Sequence, residues 1–237
     1  MKEKIYTIPL TDAFNEGGEC PFCTLEKKLE EEQVSYALGA SMMEPDSRIL
    51  SNEKGYCRRH FEQMSHESKA LSLALVLDTH LTELINKLEK AAEAPNGKSG
   101  LFAKRTQEAS PMETALAVAE KSCLICEKLT HTLEKFAEVF WYLYKNESDF
   151  KQKAENCKGF CLPHFALLLS CASHELSGRA LEEAKRDLIQ LELTHLKRLN
   201  EEVNWFTKKF DYRYQDEPWK NSKDAPQRVM EKLAKFL

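Results

Sequence analysis

Glycine and proline are scarce in this 237-residue chain, at eight each, and they fall in clusters. The long stretches between the clusters are therefore free of the two residues that most often break a helix. Long apolar runs are missing too: "ALSLALVL" (70–77) is among the longest, far too short to span a bilayer. Positive charge is not in excess. The formal net charge is −4, which argues against a general nucleic-acid binder, because such proteins carry a basic face or stripe. The opening residues, "MKEKIYTIPLTDAFNEGG", lack the apolar segment of a secretory signal. There is no glycine-rich phosphate loop, no Glu-x-x-His helix pair and no H-E-x-x-H motif. These absences lead us to expect a cytoplasmic protein with no membrane contact, and more a non-enzyme than an enzyme.

What is present is helix and cysteine. Leu, Ala, Glu and Lys dominate the glycine-free stretches. In 25–38 the apolar residues fall at 25, 29, 34, 37 and 38, one stripe of a helix. "LTHTLEKFAEVFWYLY" (129–144) has a wider apolar face, and 70–92 and 176–209 read as long amphipathic helices. In the last of these Leu188, Leu191, Leu193, Leu196 and Leu199 mark the buried side. No segment alternates with period two. The expected fold is all-α, a bundle of long amphipathic helices.

The bundle is expected to be internally duplicated. "GYCRRHF" (55–61) returns as "GFCLPHF" (159–165), and each follows a Cys-x-x-Cys pair, Cys20/Cys23 and Cys123/Cys126. "THLTELINKL" (79–88) returns as "THLKRLNEEV" (194–203). The implied organisation is a first repeat at 1–95, a polar linker at 96–112, a second repeat at 113–210 and a tail with a short helix at 211–237 packed on the bundle.

Eight cysteines in a reducing compartment point to metal ligation or thiol chemistry rather than a disulfide framework. Three thiolates and one imidazole are a common closed zinc set, and the chain carries two: Cys20, Cys23, Cys57 and His60, then Cys123, Cys126, Cys161 and His164. Two zinc ions per chain are expected, iron less so, since mixed imidazole and thiolate donors favour zinc. Ligands three apart share a helix face, so both members of each pair should sit at helix N-termini, where exposed N–H groups stabilise thiolates. Gly55 and Gly159, two residues before a ligand cysteine, suit a tight approach with positive φ. Residues 40–55 should return to the metal extended or partly turned. Nearly equal spacers favour a site within each repeat. The alternative is a swap, with Cys20 and Cys23 sharing a metal with the second Cys-x-x-His. Cys157, Cys171, His66, His131 and His174 do not follow the repeat, and His80 and His195 read as packed or surface residues.

These motifs resemble those of an uncharacterised, Firmicutes-type bacterial family, a domain of unknown function with C-P-x-C, a stretch like "MMEPDSRILSNEKGYCRRHF", a second Cys-x-x-Cys and "GFCLPHF". The ending "WFTKKFDYRYQDEPWKNSKDAPQRVMEKL" is similar as well, so the resemblance spans nearly the whole chain. Leu124 stands where the first pair has proline. The resemblance implies an intracellular bacterial protein and brings no activity with it.

The favoured function is a zinc-stabilised helical scaffold that binds another protein. A redox protein or zinc redox switch using Cys20 and Cys23 is the alternative, weakened by the missing βαβ context. Trp205, Phe206, Phe210, Tyr212, Tyr214 and Trp219 could form a partner surface, followed by a helix capped by Asp224 with Val229, Met230, Leu233 and Leu237 on one face. Docking of this tail on the chain's own core is the favoured reading of the two.

Overall fold

The computed structural model describes residues 4–94 and 109–235. Among them lie eleven α-helices and no strand, the all-α fold expected. They are α1 (Thr7–Glu16), α2 (Pro21–Ala37), α3 (Pro45–Lys54), α4 (Arg58–His66), α5 (Ala70–Glu93), α6 (Pro111–Lys121), α7 (Leu124–Asn146), α8 (Ser148–Asn156), α9 (Leu162–Cys171), α10 (Gly178–Lys208) and α11 (Ala225–Ala234). No helix among the described residues is long and apolar enough to cross a membrane. Most of the linker read at 96–112, and Leu237, lie outside the described residues.

The duplication is visible element by element: α2 to α6 have counterparts in α7 to α11. It also runs further than the repeated motifs indicate. The ends of α5 and α10, Glu93 and Lys208, differ by the offset that relates the two "THL" motifs, and so do Pro111 and Pro226 in the first turns of α6 and α11. The α11 helix of the segment read as a tail therefore stands at the position that α6 holds in the first copy. Within its own unit α11 packs on α9 and α10, while α6 packs on α5.

One expectation needs correction. Residues 40–55 do not return extended, because 45–54 form α3. Pro45 occupies the first turn, where its missing N–H has no helical partner, and Asp46 complements the dipole. Gly55 then ends the helix at φ +60°, its N–H bonded to Ser51 O at 2.9 Å.

The chain divides into two compact units, one made of Met1–Lys28 with His131–Leu237 and the other of Leu29–Thr130. The divisions fall inside α2 and α7, so they differ from the repeat boundaries drawn from the sequence. The first unit has an aromatic core. Phe22, Phe140 and Phe160 are fully buried with ring centroids 5.8–6.2 Å apart, and Trp141 donates Nε1–H to Leu168 O at 2.7 Å. The second has an aliphatic core that includes Val34, Leu38, Met64, Val76, Ile125 and Leu129.

Candidate metal centre

Each ligand pair stands at a helix N-terminus, as the spacing implies. Cys20 immediately precedes α2, and Cys123 precedes α7. Cys57 and Cys161 are the N-cap residues of α4 and α9, with His60 and His164 one turn inside. All eight candidate ligands fall into two clusters that could hold a metal ion, but not in the favoured pairing. One set is Cys20, Cys23, Cys161 and His164; the other is Cys57, His60, Cys123 and Cys126. Each Cys-x-x-Cys faces the Cys-x-x-His of the other copy. Each set also lies wholly within one compact unit.

The donor atoms converge. In the first set His164 Nδ1 lies 3.1 Å from Cys161 Sγ, 3.5 Å from Cys20 Sγ and 3.6 Å from Cys23 Sγ, and Cys23 and Cys161 are 3.5 Å apart. In the second, His60 Nδ1 lies 3.2 Å from both Cys57 and Cys123 and 3.5 Å from Cys126, with Cys57 and Cys126 3.7 Å apart. A tetrahedral ion bonded at about 2.3 Å to sulfur and about 2.0 Å to nitrogen sets S···S edges of about 3.7 Å and S···N edges of about 3.5 Å. Both sets match that figure to within a few tenths of an ångström. All eight cysteines are free thiols, and none is joined in a disulfide.

Behind each imidazole stands a carboxylate. His60 Nε2 meets Glu30 Oε1 at 3.0 Å, and His164 Nε2 lies 3.2 Å from Glu26 Oε2. At His60 that hydrogen bond favours the tautomer that leaves Nδ1 free to donate its lone pair to a metal; at His164 the carboxylate stands at ion-pair distance. Arg59 and Lys235 hold the far oxygens of Glu30 and Glu26 at 2.7 and 2.8 Å. Both glutamates lie on α2, and both are buried. Their positions three and seven residues after Cys23 put them on one helical face, and that spacing is the signal that could have found them. The repeat gave no help, since the corresponding residues of α7 are Leu129 and Leu133.

Charge is already strained in these sets. Burial opposes ionisation of Cys123, yet bonds from His60 and from the backbone N–H groups of Cys126 and Cys57 hold its thiol at about 6. Burial likewise opposes Cys20, outweighed by Cys161, Cys23 and His164, which hold it well below the ordinary thiol value. His60 is pushed up to about 10 and His164 to about 11. Burial works against both, and neighbouring thiols and the carboxylates overcome it. Three clustered sulfurs beside an imidazole are a place for a divalent cation, which would displace these protons.

The loops that carry the ligands are held differently in the two units. In one, Leu124 N–H bonds Gly55 O at 3.0 Å, and His80 donates Nδ1–H to Asn52 O at 2.8 Å, its ring packed so close to Gly55 that a Cβ there would lie 2.4 Å away. In the other the residue matching Leu124 is Pro21, which has no N–H. The neighbouring carbonyls are held instead by Lys232 of α11, 1% exposed, which donates to Glu19 O and Lys158 O at 3.2 and 2.7 Å and pairs with Glu192 at 3.3 Å. Glu192 in turn accepts Phe160 N–H at 2.7 Å. The expected face of α11 is corrected accordingly: Met230 and Leu233 are exposed, and the helix buries Ala225 and Lys232. Asp224 does stand at the N-cap of α11, but its carboxylate bonds Arg228 rather than the helix N–H groups.

A family model described as "Family of unknown function (DUF6062)" matches residues 1–237. The chain belongs to that family. No curated protein and no solved structure matches it. Membership carries no activity, so the chemistry of the family has to be read from the two Cys3His sets and the helices they join.

Proposed function

We propose that the protein is a zinc-stabilised helical scaffold that binds another protein, with one zinc ion in each Cys3His set and no catalytic role for either. One observation carries the reading: two sets of four donors stand at tetrahedral edge distances, each imidazole oriented by a buried carboxylate. Four protein donors close the coordination sphere and leave no position for substrate, which favours structure over catalysis. Imidazole beside three thiolates favours zinc over iron. Six sulfurs required as thiolates favour a reducing compartment such as the cytoplasm. The interaction half of the proposal is supported by α5, which exposes Leu71, Leu75, Leu77, Leu81 and Ile85 over one broad face. A redox pair at Cys20 and Cys23 is less favoured, because Cys20 is buried.

Elemental analysis of the full chain, purified without added metal or chelator, tests this. About two zinc ions per chain are expected, and a strong chelator should lower the melting temperature as it removes them. A chain that folds with no metal, or that carries iron, would contradict it.

A further inference from the structure

The two sets differ in what solvent can reach. In the set Cys20, Cys23, Cys161 and His164, two of the three thiols are buried, Cys161 completely, and only Cys23 is half-buried. In the other set only Cys123 is buried; Cys57 is half-buried and Cys126 is exposed. The two accessible sulfurs of that set are neighbours, 3.7 Å apart. The corresponding short contact in the first set, Cys23 to Cys161, involves a sulfur with no exposure at all.

The surroundings add to the difference. After Cys57 the chain continues with Arg58, whose side chain is 91% exposed, whereas Leu162 and Pro163 follow Cys161. A cleft of about 180 Å³ does run beside Cys20 and Cys23, with Glu19, Lys27 and Glu231 in its walls, but Cys20 stays only 7% exposed within it. The loop behind Cys161 is also clamped by Lys232 and Glu192, a device the other unit lacks.

We propose that Cys126 and Cys57 form an oxidisable pair, so that a peroxide joins them in a disulfide and releases the metal of that set while the other set keeps its own. The inference rests on both sets holding zinc. In the first step the Cys126 thiolate attacks one peroxide oxygen; an S–O bond forms, the O–O bond breaks, and the departing hydroxide is protonated to water. In the second, the Cys57 thiolate attacks the Cys126 sulfur. The S–S bond forms, the S–O bond breaks, and the second oxygen leaves as water after protonation. Two thiolates lose two electrons, hydrogen peroxide gains them, and solvent supplies two protons. Only Cys123 and His60 then remain as donors, too few to retain the ion.

The test treats the zinc-loaded full chain with stepped hydrogen peroxide, follows released zinc with a chromophoric chelator, and maps disulfides by mass spectrometry under non-reducing conditions. One zinc should leave first, at a rate about tenfold or more above the second, and the first new disulfide should join Cys57 to Cys126. The Cys126→His variant retains a fourth donor without an oxidisable sulfur, and its first phase should be lost. Equal release of both ions, or prior oxidation of Cys20, Cys23 or Cys161, would overturn the proposal. A chain that starts without zinc would overturn the metal reading itself, and the starting metal content reveals that before any peroxide is added.

Discussion

Cys161→Ser should remove one of two bound metals and lower the melting temperature by about 10 °C or more. Cys161 is fully buried and is one of three sulfurs in its set. Serine preserves the shape, but its hydroxyl is a poor zinc donor at neutral pH. The lost metal affinity is lost folding free energy, because the set is not preformed in the unfolded chain. A loss of about 4 kcal/mol is a modest share of a structural zinc site, and each kcal/mol shifts the melting temperature by about 2–4 °C at this chain length. Hydrogen exchange should rise in α9 and in the first turn of α2, which carry this set, and the set at Cys57 should keep its ion. Two metals and an unchanged melting temperature in the variant would refute the assignment.

Glu192→Leu is expected to destabilise the chain by about 3–5 kcal/mol, because it leaves the Lys232 ammonium buried without its partner. Phe160 N–H would lose its acceptor at the same time. The other copy carries Leu77 at this position, where it is exposed, so there the matching residue has no buried charge to answer. The double variant Glu192→Leu with Lys232→Met should recover part of the loss, since it removes the stranded charge. Urea unfolding of the two singles and the double closes the cycle. Effects that simply add, or a single variant within about 0.5 kcal/mol of the parent, would show that the pair does not clamp the Gly159 loop.

Much of this architecture was legible in the sequence. The boundaries of α5 and α10, the positive φ of Gly55 and Gly159, and the placement of all eight ligands at helix starts followed from local rules about caps, periodicity and spacing. The partnering of the ligands did not follow. Nearly equal spacers are a consequence of duplication, and they stay equal whether each Cys-x-x-Cys serves its own copy or the other one. Spacing therefore carried no information about pairing, and preferring the simpler arrangement was an error. Glu30 was obscured for a different reason: in the run "LEEEQ" (29–33) only burial separates the glutamate facing His60 from its solvated neighbours. Lys232 was beyond sequence reasoning, because a lysine in a short amphipathic helix gives no sign that it is buried against Glu192 and two backbone carbonyls.

The most direct test is to lose ligands in pairs and count metal. If each set draws on both copies, Cys20→Ser with Cys161→Ser damages one set only, and about one zinc ion per chain should remain. Cys20→Ser with Cys57→Ser damages both sets and should leave none. The reverse result, with metal kept when Cys20 and Cys57 are replaced and lost when Cys20 and Cys161 are, would contradict the exchanged pairing and restore a site within each copy.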